Sequence, residues 1–433
     1  MEREFKKILI KWKEENINTP LMVVGARQIG KTYIIDKFCR GNFKDYIYIN
    51  LISDENIVKI FNEQIDTKEK IIKMELLLNR KITEDTIIFF DEVQESEKLI
   101  TALKYFCESD FPYKIICAGS LLGVKLRRFE SSFPVGKVII KYMYPMNFKE
   151  FLMAMEYHMV IPEIENCFKE NKKMSEPLHK KLLDYYRLFL CIGGMPEAIN
   201  EFIKNNKEIL EFKNETITSI IDAYIADMKR YTLNYYEAIK IEKIYNNIPS
   251  QLAKENKKFQ FAKIEENARR RDYASSIDWL VSSKLVIPCY FVNKFETPLK
   301  GFMNDEVFKL YLSDCGILTK MLEIQYNKIM LNDDYKYKGV ITENYVVGEL
   351  ASKNISLYYW AENQVAEIDL LLDTKDGVIP IEIKSDDNTK SKSLNYYKEK
   401  NNPKFSYRIS SKNFGFENNI KAVPLYAVFC INV

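Results

Sequence analysis

Over the first 150 residues, short apolar runs alternate with stretches of helical spacing. The runs are "LMVV" (21–24), "YIYINL" (46–51), "TIIFF" (86–90), "KIICA" (114–118) and "KVIIKY" (137–142). Unbroken runs this short, rich in Ile, Val, Tyr and Phe, suit strands buried on both faces of a parallel sheet. Between them, "KTYIIDKFC" and "KEKIIKMELLLNRK" space their apolar residues as helices do. Strands alternating with helices predict an α/β domain with a doubly wound parallel sheet over residues 1–150.

The texture then changes. Long helical patterns dominate 151–335, interrupted by "CIGGMPEA" (191–198), whose paired glycines predict a tight turn before a new helix. Within this region, 240–295 reads as three helices followed by a strand pair beginning at "KLVIPCYFV", the order of a winged-helix module. Over 336–433 β character returns, with "SLYYWA" (356–361), "AEIDLLLD" (366–373), "GVIPIEIKS" (377–385) and a closing strand "PLYAVFCI" (424–431). Asp376-Gly377 predicts a hairpin turn between the second and third of these. No internal repeat or low-complexity linker is present.

Composition narrows the class. The chain has 433 residues, 47% of them hydrophobic, which fits a folded protein of two or three domains. Its 64 basic and 61 acidic residues nearly cancel, so any nucleic-acid-binding surface must be local. No apolar run approaches the roughly 18 residues of a spanning helix, and no signal-peptide core is seen. Eight dispersed cysteines without a C-x-x-C, and only two histidines, argue against zinc sites and disulfides. A cytoplasmic protein without a membrane partner is expected. His158 and His179 stand singly in helical stretches and receive no role.

The first chemistry lies directly after "LMVV". "GARQIGKT" (25–32) fits G-x-x-x-x-G-K-[ST], with a strand before it and a helix after it. That is the setting of a phosphate-binding loop, the Walker A motif. Gly25 and Gly30 let the backbone wrap phosphate oxygens, with Ala26, Arg27, Gln28, Ile29 and Tyr33 completing the ATP contacts. Lys31 reaches the β/γ-phosphates and Thr32 ligates Mg²⁺. "TIIFFDEVQ" supplies the Walker B acids at a strand's C-terminal end. There Asp91 holds Mg²⁺ and Glu92 acts as general base on the attacking water. Ser120, after "KIICAG", either senses the γ-phosphate or caps the next helix. Arg127, Arg128 or Lys137 could supply a cationic contact in cis or from a neighbouring subunit of a homo-oligomer, or could be solvated surface charges.

The ordered set "GARQIGKT", "FFDEVQ", "AGS", "SFPVGKV…YPMNFKEFL", "GGMPEA", "FKLYLSDCGIL" and "ENYVVGEL" resembles a large family of prokaryotic AAA-like ATPases. Their C-terminal region is a domain of unknown function. The resemblance spans nearly the whole chain. It implies an AAA-type P-loop ATPase core (1–150), a helical region with a winged-helix-like module (151–335), and a C-terminal α/β domain (336–433) resembling the PD-(D/E)XK restriction-endonuclease fold. The sequence departs from the family at Gly136-Lys137, where a Gly-Arg pair is common. Lysine lacks the planar fork of an arginine finger.

Spacing in the last domain agrees with the nuclease resemblance. Glu367 and Asp369 lie two apart, as do Glu382 and Lys384, so each pair shares one strand face. The hairpin turn would let Asp369, Glu382 and Lys384 converge, with Glu343 contributed by the helix "TENYVVGEL". Glu343, Asp369 and Glu382 would form a second Mg²⁺ site, and Lys384 would orient the water in phosphodiester hydrolysis. The same spacing also describes an ordinary exposed hairpin with Glu–Lys cross-strand pairs.

For nucleic acid, Arg269, Arg270 and Arg271 begin the candidate recognition helix as a phosphate clamp or as a solvated basic turn. "KSDDNTKSKSLNYYKEKNNPK" sets Tyr396 and Tyr397 among lysines, as a base-stacking track or as a plain surface segment. The expected function is a Mg²⁺-dependent ATPase acting on DNA, with a nuclease-like C-terminal domain. The alternative is a nucleotide-dependent switch whose C-terminal domain only binds protein or DNA.

Overall fold

The computed structural model describes residues 1–432 apart from 121–122, 125–132, 233, 255–256, 334, 363–364 and 387–391. Arg127 and Arg128 lie outside the described residues. The chain divides into two compact units, one built from Glu2–Tyr144 with Ser282–Lys284, the other from Pro145–Val281 and Leu285–Val433.

The first unit is built on five parallel strands: β1 (Leu21–Val24), β2 (Asp45–Asn50), β3 (Thr86–Asp91), β4 (Lys114–Gly119) and β5 (Ile139–Tyr142). Their spatial order is β2-β3-β4-β1-β5, all neighbours parallel. β1 and β3 are buried along their whole length, which is why their sequences are unbroken apolar runs. Met22, Ile49, Phe90 and Cys117 pack with Phe61, Leu103 and Phe106 of the covering helices. The register sets Asn50 beside Asp91 and Val24 beside Gly119. The C-terminal ends of β1, β3 and β4 therefore share one edge, the crevice where doubly wound sheets bind ligands.

The second unit opens with helices Phe148–Ala154, Ile161–Glu170, Glu176–Ile192, Pro196–Lys204 and Asn214–Arg230. Local signals set their ends. Asn147 and Glu150 form a reciprocal capping box, and Pro196 opens the helix that follows the paired glycines. Next come the helix Tyr235–Leu252, a 3₁₀ turn at Phe261–Lys263 and the helix Arg270–Ser282, in place of three full helices. The antiparallel pair β6 (Val286–Val292) and β7 (Met303–Leu312) follows.

That pair is not free-standing. β6 runs parallel to β8 (Tyr358–Glu362) through Tyr290↔Tyr358 and Phe291↔Tyr359. β8, β9 (Ala366–Thr374) and β10 (Gly377–Ile383) form an antiparallel meander. The helix Lys392–Asn401 then leads to β11 (Ser406–Ser410), parallel to β10. β12 (Gly415–Glu417) and β13 (Ile420–Pro424) complete an eight-stranded sheet ordered β12-β13-β11-β10-β9-β8-β6-β7. Strands from both sides of position 335 thus share one sheet. The run 424–431, expected as a strand, is instead a 3₁₀ helix at Leu425–Cys430 with all six residues buried. A short wholly buried run lacks the alternation that separates strand from helix.

Two buried acids tie the helices to this sheet. Asp314 caps the helix Cys315–Met321 through Ile317 N–H at 2.9 Å and accepts Gly194 N–H at 2.6 Å. Glu349 accepts Phe148 N–H at 2.6 Å. The carboxamide of Asn344 bonds both Leu312 N–H and Leu312 C=O, fixing the helix Lys338–Ala351 to β7.

Candidate functional site

The loop after β1 wraps close because two positions have no side chain in the way. A Cβ on Gly25 would stand 2.3 Å from the Met143 carbonyl. Gly30 holds φ at +88° as the helix Lys31–Asn42 begins, a conformation only glycine adopts freely. Ala26 and Ile29 are buried, while Arg27, Gln28 and Tyr33 face solvent. Lys31 is buried and donates to the carbonyls of Gly25 (3.0 Å) and Ala26 (2.6 Å), so its ammonium is held inside the loop's concavity.

Thr32 donates its hydroxyl to Asp91 Oδ2 at 2.7 Å, and Tyr48 donates to the same oxygen at 3.2 Å. Burial raises the Asp91 pKa, Glu92 raises it further, and the Thr32 and Tyr48 hydrogen bonds oppose the rise. Hydroxyl and carboxylate meeting at the mouth of the loop fit a nucleotide's Mg²⁺, a hard ion that prefers oxygen ligands. Glu92 is in the left-handed region at φ +53°, accepts Gln94 Nε2 at 2.5 Å, and lies 3.5 Å from the Ser120 hydroxyl. The structure thus gathers Lys31, Thr32, Asp91, Glu92 and Ser120 at one sheet edge. Lys137 is instead paired with Glu108 at 2.9 Å.

Three participants escaped the sequence reading. Arg3 is buried and donates to the Ile29 carbonyl (2.6 Å) and the Tyr144 carbonyl (2.7 Å), tying the loop to the segment after β5. Tyr48 and Gln94 buttress the two acids. Tyr48 alternates outward along β2, a weak signal; Arg3 carries none, because its partners are 26 and 141 positions away.

The second unit holds the C-terminal carboxylates. Ile381 lies opposite Leu370, so the next step of the register sets Glu382 beside Asp369. Asp369 Oδ2 accepts Ile383 N–H at 2.7 Å. Burial, then the charges of Glu343 and Glu382, push its pKa up to about 7. Lys384 Nζ stands 2.7 Å from Glu382 Oε1, whereas the buried Glu382 Oε2 has no hydrogen-bond partner among the described residues. Asp369, Glu382 and Lys384 are therefore brought together.

Glu343 is held differently. Lys257 contacts its Oε2, Tyr311 donates to its Oε1, and Lys309 Nζ lies 3.5 Å from Oε1. Burial would raise the Glu343 pKa, but Lys257 and Lys309 overcome it and hold the carboxyl below its ordinary range. Lys309 is 1% exposed, 2.6 Å from Glu367 Oε1 and 4.6 Å from the Tyr359 ring centre. No three His, Cys, Asp or Glu side chains form a metal-holding group among the described residues. The expected trio of Glu343, Asp369 and Glu382 is not preassembled. The missed signal was a lysine in the otherwise apolar "VFKLYL", two positions from Tyr311 and so on the same strand face.

Of the arginines, Arg270 pairs with Asp305 (2.9 Å) and Glu306 (3.7 Å), and Arg271 lies 3.7 Å from Asp272. Tyr397 is buried against Phe295 and Trp360; Tyr396 donates to Glu362. No described helix is long and apolar enough to cross a membrane.

Comparison with known proteins divides the chain in three. Residues 183–328 match one domain of unknown function (DUF8612) and residues 338–428 another (DUF4143). An uncharacterized protein of Methanocaldococcus jannaschii is 25% identical over 361 residues, 81% of this chain and 71% of that protein. Among solved structures, a Walker-type ATPase of Pyrococcus abyssi is 15% identical over 74% of this chain and 95% of its own, with a TM-score of 0.43. The ORC2 protein of Aeropyrum pernix, in ADPNP-ADP complexes, is 11% identical over 79% and 92%, with a TM-score of 0.36. Residues 18–152 match an AAA domain, and with the loop and acids gathered at the sheet edge this part of the chain is an AAA-like P-loop ATPase domain.

Proposed function

We propose that the chain hydrolyses ATP with Mg²⁺ in its first unit and acts on DNA through its second, where Asp369, Glu382 and Lys384 support Mg²⁺-dependent phosphodiester cleavage. In the first unit, Thr32 and Asp91 would hold the nucleotide's Mg²⁺. Lys31 would neutralise the β/γ-oxygens, and Glu92, steered by Gln94, would take the proton of the attacking water. Ser120 is a γ-phosphate sensor in this reading. The metal supplies charge neutralisation and the protein supplies position.

One observation carries the nuclease reading: Glu382 keeps one buried oxygen without a hydrogen-bond partner among the described residues, while Lys384, just past the end of β10, lies 2.7 Å from the other. The order helix, three-stranded meander, helix, parallel strand over Lys338–Ser410 supports this reading by setting β9 and β10 side by side. Asp369 and Glu382 would hold the ion; Lys384 would orient the water and stabilise the charge developing on the phosphate.

A second reading has an observation of its own. Arg270 is already paired with two acids and Glu343 with two lysines, which favours a nucleotide-dependent switch with a catalytically silent second unit. The deciding experiment measures ATP turnover with and without DNA, and cleavage of plasmid and single-stranded DNA in Mg²⁺ or Mn²⁺. It compares wild type with Lys31→Ala and Lys384→Ala. DNA-stimulated turnover lost in Lys31→Ala, with cleavage lost in Lys384→Ala, is expected. Turnover indifferent to DNA together with intact plasmid would establish the switch.

A further inference from the structure

Lys384 and Arg408 are two cations beside one carboxylate, and only Lys384 is paired with it. Arg408, on β11, lies between Glu382 of β10 and Ala422 of β13 in the sheet register, so these three side chains share one face. Glu382 Oε1 takes Lys384 at 2.7 Å, its Oε2 has no partner, and Ala422 carries no acceptor on its side chain. Among the described residues, no ion pair or side-chain hydrogen bond reaches Arg408, and its Nε is buried. Arg187 and Arg270, by contrast, each hold an acid, at 2.6 and 2.9 Å. Burial lowers the Lys384 pKa, Glu382 and Asp369 raise it beyond the ordinary lysine value, and the charge of Arg408 opposes that rise. A guanidinium stays charged at every physiological pH, so a partly buried one short of acceptors is costly until an anion completes it.

We infer that Arg408 is a phosphate-binding residue, whose guanidinium takes the oxygens of one phosphodiester of a DNA strand and fixes that strand across β10 and β11. This rests on the DNA-directed reading above and deepens it by naming a side chain that holds the strand's backbone; it stands whether or not the strand is cut. Arginine suits the task because its planar fork meets two phosphate oxygens at once, which the point charge of a lysine does not. A contact of this kind positions a strand without reading its sequence, and it weakens as salt rises.

The test measures fluorescence anisotropy of labelled single- and double-stranded DNA oligonucleotides with the full chain, in EDTA and without nucleotide, over a series of chloride concentrations. Arg408→Met is expected to weaken binding about tenfold or more and to make the dependence of log Kd on log salt shallower by about one unit. Arg408→Lys keeps the charge but loses the fork, so it should restore the salt slope and only part of the affinity. Lys404→Met, which removes an exposed cation 3.7 Å from Asp376, should change affinity by less than about twofold. Inorganic phosphate should compete no better than chloride at equal ionic strength. Unchanged binding in a folded Arg408→Met, full affinity in Arg408→Lys, an equal loss in Lys404→Met, or displacement of the strand by phosphate through Arg408 would overturn the inference alone. No DNA binding by the wild type would overturn the DNA-directed reading and the inference with it.

Discussion

The Thr32 hydroxyl lies 2.7 Å from Asp91 Oδ2, although 59 residues separate the two in the chain. One residue opens the helix after the phosphate loop and the other ends β3, so the contact measures whether loop and sheet are assembled for Mg²⁺. Asp91→Asn keeps the shape but removes the charge that draws the ion. Hydrolysis is expected to fall by about 10²-fold or more while nucleotide binding without Mg²⁺ survives. Turnover close to wild type in Asp91→Asn would remove that carboxylate from the site.

Arg3 ties the loop to the segment after β5 by donating to the carbonyls of Ile29 and Tyr144. Arg3→Met leaves both acceptors short of a donor, a cost of roughly 1–3 kcal/mol. Thermal unfolding should drop by several degrees. Added ADP should recover part of the loss, because ligand binding stabilises the folded unit by mass action. An unchanged melting curve would show that the contacts are dispensable.

Among the described residues, the donors to Asp314 are backbone N–H groups, and burial pushes its pKa up to about 6. The folded protein therefore keeps this proton up to about pH 6, whereas the unfolded chain releases it near the ordinary carboxylate value of 3.8. Between those values the folded state binds more protons, so this group's contribution is greatest below about pH 4 and falls as pH rises to about 6. The full swing is on the order of 3 kcal/mol. Urea midpoints from pH 4 to 7 should show the decline in wild type and lose that component in Asp314→Asn. Parallel profiles for the two proteins would contradict it.

Asp369, pushed up to about 7, must give up a proton before it can ligate metal. Mn²⁺ affinity at the second unit should therefore climb about tenfold per pH unit up to about 7 and level off above. Calorimetry from pH 5.5 to 8 checks this; a flat profile would place the metal elsewhere.

The ATPase sheet was legible because local and global demands coincide there. "LMVV" and "TIIFF" had to be apolar on both faces, and the glycines of "GARQIGKT" answer a close approach and a positive φ. Arg3 was illegible because a clamp on carbonyls 26 and 141 positions away leaves no periodic trace. In the second unit, "AEIDLLLD" and "GVIPIEIKS" announced their hairpin, and β9 and β10 form it. The run at 424–431 looked like one more strand, but its uniform burial serves a tight helix. Glu343 was found by type and misjudged by neighbour: nothing near it in sequence foretells Lys257 and Lys309, 86 and 34 positions away.

The parallel pairing of β6 with β8 bears on how this protein can be divided and inherited. A fragment starting at residue 336 would expose the edge of β8 as an unpaired template for aggregation. It would also leave Glu343 buried beside Asp369 with both lysines gone. The β6–β7 hairpin and the carboxylate strands β9 and β10 thus stand or fall within one sheet. A lineage that borrowed the segment after residue 335 alone would acquire buried acids without the lysines that balance them.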